Sequence, residues 1–499
     1  MMKQIYLYMC AGLMGLTTSC MDLEPEDYSQ INTTLFPQTE KDALALMTAN
    51  VYATFRNNSY GGIFNNASGV QTIGEMTTDV AACCWGGTAW IPLQQHTWDP
   101  NHQYSTINYT NFAKDLGKML LTQDRIKDLQ LGDDVRARFE AEIHLGRGWL
   151  GYLLYDFYGP VPLATLEELN NPLNDVVVAR ASEEEMKTFI ETELKAAIAS
   201  SALPTKVSKD EYGRFDKGLA YTVLMKYYMS TEQWSKAEEC GRELMKSDYG
   251  YGLMDNYADI FTLENEGNKE IIFACVEQRG ISLQLWHDHA LPGNFPVQNT
   301  AIQRWDGYKV PWAFYNTFEN GDDRLTSALV GKYTDNAGNV IFDEALDKVN
   351  HTEIYRQGAV PVKYGEDPNS TGDGSQIDWI VYRYADVVTL LSEAIVRNGN
   401  AVTQEAVDLL NMIRERAKLP ARKVSDYVNV QAFLDDMLLE RGHELWWEGN
   451  RRSDLIRHGK FIQSAIDRGE TSTDIRERFA IPQAVINEGK GKIIQNPGY

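Results

Sequence analysis

The stretch ERGHELWWEGNRRSDLIR, Glu440 to Arg457, constrains this chain more than any other part of it. Glu440, Glu444, Trp447 and Glu448 fall at i, i+4, i+7 and i+8, which a helix places on one face. Arg441 stands on a neighbouring face, and Arg451, Arg452, Asp454 and Arg457 follow at once. Acids, bases and indoles crowded so closely do not make a plain solvated surface. They predict a knot of charge-assisted hydrogen bonds beside buried tryptophan, closing the end of a helical bundle. A catalytic carboxylate pair is the competing reading.

Helical patterning recurs along the chain. Ala43, Leu46, Met47 and Val51 predict a helix over 40–55, and 109–131 is helical again. A long helix over 135–158 stops at Gly159-Pro160. Ser182 and Glu185 form a capping box that opens a helix over 182–200. Helices over 216–229 and 232–247 face each other through Ala220, Leu224 and Tyr227 against Ala237, Cys240, Gly241 and Leu244. Such small residues let helices pair closely in a tetratricopeptide-like manner, without a countable repeat. Helices over 378–398, 403–419 and 430–449 continue the series.

Two segments break the pattern, about 57–108 and 249–377. Gly, Asn, Asp and Pro punctuate both, and Asp335-Asn336-Ala337-Gly338-Asn339 reads as the turn of a β-hairpin over 332–342. Ala337 stands where a calcium loop needs an oxygen ligand. The fold class expected is mainly α: helical pairs form a scaffold, and an irregular loop-rich lobe carries short β-hairpins. Binding residues concentrate on loops held by a rigid frame. Six of the 11 tryptophans lie in these segments: Trp85, Trp90, Trp98, Trp286, Trp305 and Trp312. Sugar rings offer C–H faces to indoles, and their hydroxyls bond to Asn, Asp and Arg side chains. Asp79, Trp98 and Asn101 offer both contacts, as do Arg304, Trp305, Asp306 and Tyr308. The plainer reading is that a given tryptophan packs its loop onto the frame. Trp312, in VPWAFYNTF, has helical apolar company and reads as core.

A net charge of −23 repels polyphosphate, so nucleic acid is not an expected partner. Lys3, the apolar run from Ile5 to Leu16 and the small residues before Cys20 read as a cleaved export signal over 1–19. Acylation of Cys20 would anchor the chain without spanning the bilayer, and ordinary cleavage nearby is the alternative. Residues 20–39 then form a tether. Cys83 and Cys84 read either as a vicinal disulfide or as neighbouring thiols. His287-Asp288-His289 is at most half a metal site, so no metal and no cofactor are expected. Gly-x-Ser-x-Gly, His-Glu-x-x-His and a phosphate loop do not occur.

The opening stretch, written ER-x-x-EL-x-x-EG-x-R-x-x-DL-x-R, resembles the C-terminal signature of the SusD/RagB family of surface glycan-binding lipoproteins. RGWLGYLLYDFYGPVPL from Arg147, RYADVVTLLSEA from Arg383, NMIRERA from Asn411 and the closing AIPQAVINEGKGKIIQNPGY extend the likeness over nearly the whole mature chain. In that family the signature belongs to the scaffold. Asp79, within TTDV, matches a common family aspartate.

The resemblance implies one SusD-like domain over 40–499 and a diacylated Cys20 on the outward face of the outer membrane. It implies a non-enzymatic protein that captures oligosaccharide or polysaccharide and hands it to a SusC-like TonB-dependent transporter. The expected glycan-binding residues are Asp79, Trp85, Trp90, Trp98, Asn101, Trp286, Arg304, Trp305 and Tyr308. An exported glycoside hydrolase and a ligand-free helical-repeat adaptor are the alternatives.

Overall fold

The computed structural model describes residues 36–57, 61–171, 173 and 176–499. The expected leader, the Cys20 anchor and most of the tether lie outside the described residues. Within them the longer helices are α1 (Glu40–Asn50), α2 (Gln103–Phe112), α3 (Asp115–Ile126), α4 (Asp133–Tyr158), α5 (Glu183–Ala199), α6 (Lys217–Ser230), α7 (Trp234–Leu244), α8 (Tyr384–Gly399), α9 (Gln404–Arg416), α10 (Val430–Leu445), α11 (Arg451–Arg457) and α12 (Phe461–Asp467). None is long and apolar enough to cross a membrane.

Successive helices pair, α4 with α5, α6 with α7 and α8 with α9, and the pairs join through α5 on α6 and α7 on α8. The mainly α scaffold is therefore as the periodicity predicts. Ser182 and Glu185 cap α5 reciprocally, with Ser182 Oγ accepting from the Glu185 amide at 3.2 Å and Glu185 Oε2 accepting from the Ser182 amide at 2.8 Å. At Gly241 a Cβ would stand 2.9 Å from Leu391 Cδ1, so glycine sets how closely α7 approaches α8.

The strands are short: β1 (Ala82–Cys83), β2 (Ile271–Cys275), β3 (Tyr308–Lys309), β4 (Leu329–Val330), β5 (Tyr333–Thr334), β6 (Val340–Phe342), β7 (Val360–Pro361) and β8 (Trp379–Arg383). They form antiparallel pairs, β1 with β3, β2 with β8, β4 with β7 and β5 with β6. The β5 and β6 pair is the hairpin expected over 332–342. The main hydrophobic core runs from Ala43 on α1 to Ile481 near the C-terminus, and a smaller one gathers Leu291, Trp312, Tyr333 and Phe342. Trp149 of α4 lies at the centre of the main core, stacked on Phe55 at 4.3 Å and donating to Tyr382 Oη of β8 at 3.0 Å.

Several boundaries differ from the sequence expectation. The first helix ends at Asn50 and continues as a 3₁₀ turn over Tyr52–Phe55. The helix expected over 109–131 is two helices, α2 and α3. Residues 379–383 form β8 rather than the start of a helix: WIVYR is buried at every position and pairs with β2, as a strand covered on both faces requires. The helix expected through Gly449 stops at Leu445: Trp446 leaves the helical region with a ψ of 139°, and Trp447 follows with a left-handed φ of 60°. Glu448 still meets Glu444 around one cation, brought back by the turn rather than by helical spacing.

That cation is Arg383. Its Nε lies 2.8 Å from Glu448 and its Nη1 2.7 Å from Glu270 while also contacting Glu444. Arg416 bridges Glu270 and Glu444, Arg324 joins Asp322 and Glu440, Arg414 joins Glu440, and Lys363 reaches Glu448 at 2.6 Å. Beside this cluster Arg441 spans Asp386 and Asp454, and Arg457 spans Glu393 and Asp454. All of these charges except the partly buried Arg457 are buried, and each cation lies against at least one carboxylate. Burial alone would raise Glu444, yet Arg416, Arg383 and Arg324 hold it down at about 2. Carboxylates held by so many cations tie the scaffold together.

Candidate functional site

The pairing of β1 with β3 draws the two irregular segments together. Ala82 opposes Lys309 and Cys83 opposes Tyr308, and the Cys84 amide extends the ladder to Gly307 O at 2.8 Å. Residues 84–87 therefore run beside 304–307, and Trp85 meets Trp305. The Trp85 indole N–H donates to Trp305 O at 3.1 Å. A Cβ at position 307 would lie 2.4 Å from the Trp85 ring, so Gly307 is what allows that ring to settle on the backbone.

The base of this pair is fixed by hydrogen bonds from Trp305 N to Asp288 O at 2.6 Å, Asp306 N to Leu291 O at 3.0 Å and Gly307 N to His289 O at 2.7 Å. The His289 ring lies 5.2 Å from Trp85 and 5.3 Å from Trp305, centroid to centroid. Trp305 is 38% exposed and Trp85 is half-buried. Trp90 and Tyr308 lie beneath, Trp90 edge-on to Trp85 and Tyr308 stacked on Trp447 at 4.4 Å. They support the pair and, being buried, present no face of their own. Arg304 is half-buried and donates from Nη1 to Phe295 O at 2.7 Å.

Other expected site residues are placed elsewhere. Trp98 is 1% exposed, stacked on Phe479 at 4.8 Å, and donates to Tyr499 Oη at 2.7 Å. It fastens the C-terminal tail, and both of its faces are spent. Asn101 is exposed on the turn after it, where Pro100 O accepts from the Gln483 amide. Trp286 is fully buried among Trp379, Trp446 and Trp447, so it is core and not a platform. Trp312 is core as read, donating to Asp347 at 2.7 Å. Cys83 and Cys84 are unbridged thiols, and Cys84 Sγ donates to Asp306 O. His287 and His289 are buried and engaged with the carbonyls of Tyr364 and Leu285. Among the described residues no cluster of three His, Cys, Asp or Glu is arranged to hold a metal.

Asp79 faces a groove of about 570 Å³ that opens between the 311–317 segment, the turn Ile354–Arg356 and helices α10 to α12. Arg451 grips Asp79 with two parallel hydrogen bonds, Nε to Oδ1 at 2.8 Å and Nη2 to Oδ2 at 2.7 Å. Burial pushes the Asp79 carboxyl up, but Arg451 outweighs it and leaves the pKa below the usual value. Asp79 is thus a fixed acceptor and not a proton donor. The groove and the indole pair share a border. Ala81 and Ala82 line the groove and lead directly into Cys84 and Trp85. Ile354 and Tyr355 form its rim, and the next residue, Arg356, lies beside Gly86. Sequence reading passed over Ile354, Tyr355 and Arg356. Their only local signal is an apolar and aromatic pair set among polar residues in HTEIYRQG.

Residues 246–499 match the SusD family, and residues 23–229 match the family described as "Starch-binding associating with outer membrane". The starch-binding protein SusD of Bacteroides thetaiotaomicron is 23% identical over 495 residues, covering 85% of this chain and 84% of its own length. A laminarin-binding SusD-like protein superposes with a TM-score of 0.74 at 24% identity, over 93% of this chain and 100% of its own. Surface glycan-binding protein A of B. thetaiotaomicron, solved with laminarihexaose, gives 0.72 at 18% identity, over 91% and 99%. With more than half of its length matched, and with the mainly helical architecture shared, this chain belongs to the SusD family.

Proposed function

We propose that the protein is a non-catalytic glycan-binding lipoprotein of the outer membrane, and that Trp85 and Trp305 are its sugar platform. The observation that carries this is the indole pair itself. Two large aromatic rings stand at the surface on backbone that is hydrogen-bonded in place, so little freedom is lost when a ligand stacks on them. Starch binding and laminarin binding by relatives support the choice of ligand class. Arg304 and Asp306 flank Trp305 in the chain and Arg356 lies beside Gly86, next to Trp85, so polar side chains for sugar hydroxyls accompany both residues.

The engagement of the carboxylates nearby supports binding without cleavage. Glycoside hydrolysis needs one carboxyl that keeps a proton and a second that stays free to act on the ring or on water. Asp288 is buried and accepts from the Gly374 amide, and burial pushes its carboxyl up to about 7, but Asp79 is clamped by Arg451 and Asp306 is paired with Lys309, so neither is the free second carboxylate. The acylated Cys20 would hold the protein at the outer face of the membrane, and a SusC-like TonB-dependent transporter would receive the captured oligosaccharide.

Affinity gels loaded with a panel of polysaccharides test the binding. One or more should retard the protein, and Trp305→Ala and Trp85→Ala should each weaken retention by about tenfold or more, the loss expected of an aromatic anchor. Reducing-sugar release by the pure protein would overturn the non-catalytic assignment. Co-purification of an outer-membrane transporter with the acylated protein, and its loss in Cys20→Ala, tests the partner and the anchor.

A further inference from the structure

The groove that adjoins the indole pair differs from it in chemistry. Its walls are apolar, with Pro311, Phe314, Leu438 and Leu455 inside and Ile354 and Leu439 at the rim. Most of the polar side chains that line it are already engaged within the protein. Gln94 uses both ends of its amide on the Cys83 backbone at 3.1 Å, Arg451 is taken by Asp79 and Leu438 O, and Arg468 is taken by Ser464 and Thr77 O. Thr317 Oγ bonds to Phe314 O and His443. The polar features left to an occupant are the remaining lone pairs of Asp79, the Tyr355 hydroxyl and the Glu470 carboxylate.

A bare sugar carries hydroxyls around its whole edge, and burying them where few partners remain costs free energy for each one left unpaired. An apolar substituent has no such cost, and its burial is favourable in proportion to area. At about 570 Å³ the space exceeds what an acetyl group fills and lies in the range of small-molecule pockets. We infer that this groove takes the aromatic acyl group of an esterified glycan whose sugar rings lie across Trp85 and Trp305. The inference rests on the glycan-binding reading for the sugar part, and the groove's own affinity for an aryl ester can be measured apart from it. A phenolic hydroxyl on the ring would find Asp79 as its acceptor.

Methyl ferulate is the probe, titrated calorimetrically into the mature protein and into Ile354→Asp and Leu439→Asp. Both positions are at least one-third exposed, so the fold tolerates the change. Val428→Asp, 88% exposed and outside the groove, is the control for non-specific adsorption. Saturable binding is expected at one site, weakened about tenfold or more by each rim variant, since a carboxylate beside the ring must lose water, and unchanged in Val428→Asp. No saturable binding, or binding indifferent to both rim variants, overturns the inference. A feruloylated oligosaccharide should then bind about tenfold more tightly than its saponified form; equal affinity also overturns it. If methyl ferulate binds and no oligosaccharide of any kind does, the groove stands and the sugar platform falls.

Discussion

Trp98 gives its whole indole to packing: Phe479 covers one face, Arg476 lies 5.1 Å from the ring, and the N–H is held by Tyr499. Trp98→Ala should therefore cost about 3–5 kcal/mol of stability, as deletion of a buried aromatic does. Trp305→Ala, at an exposed position, should leave the melting temperature within about a degree or two while removing glycan retention. Calorimetry beside affinity gels separates the two, and a Trp98 variant of normal stability would refute the packing role. Nothing local in the sequence distinguishes these residues. Both sit in polar, Gly- and Pro-punctuated stretches, and the residue that captures Trp98 lies 401 positions later. Glu277 is a different case at the same scale. Burial pushes its carboxyl up to about 9, and the neighbouring Asp378 adds to the effect. The folded state thus holds a proton that the unfolded chain releases near its ordinary value of 4.5. The stability linked to that proton is complete below pH 4.5 and is lost as pH rises toward 9. Glu277→Gln escapes the loss, so its melting temperature should exceed the parent's by more at pH 8 than at pH 5. A difference that does not change with pH would exclude this linkage.

The helices were legible because their signal is local. A stripe at helical spacing and a capping pair are both contained in the element they define, and α4 to α9 appear near where those signals put them. The failures share one cause, which is that tertiary contact decides. WIVYR can be helix or strand by periodicity, and only the presence of β2 beside it selects the strand. Likewise β1 and β3 are two residues each, too short to carry a pattern, yet their pairing assembles the indole site. The crossing of α7 on α8 is an element-level feature that can be tested directly. A Cβ at Gly241 would meet Leu391 Cδ1 and Met225 Cε at 2.9 Å, with both helices fixed by their other neighbours. Gly241→Leu should destabilise by about 1–3 kcal/mol through overpacking. The urea midpoint should fall with little change in slope. An unchanged midpoint would show that α7 can slide away from α8 at no cost.

At the scale of the molecule, Arg383 joins parts of the chain that are far apart in sequence. Its carboxylates come from the start of β2, from the end of α10 and from the turn after it. The Glu440 to Arg457 stretch announced such a cluster, but its partners Glu270, Arg324, Lys363, Arg383 and Arg416 carry no local mark of belonging to it. Replacing Arg383 with Met keeps volume and removes the charge, leaving Glu270, Glu444 and Glu448 short of a cation. Breaking a buried pair on one side costs about 3–5 kcal/mol near neutral pH. The pH dependence of that cost is the sharper test. Glu444 is held at about 2 in the native state against 4.5 for an ordinary carboxyl, so its contribution is present above pH 4.5 and is lost as pH falls toward 2. Without Arg383 the Glu444 carboxyl is less depressed, and protonating it relieves the uncompensated charge. The difference in melting temperature between parent and Arg383→Met should therefore narrow as pH falls from about 4.5 toward 2, and parallel curves there would mean that the cluster acts through packing and not through charge.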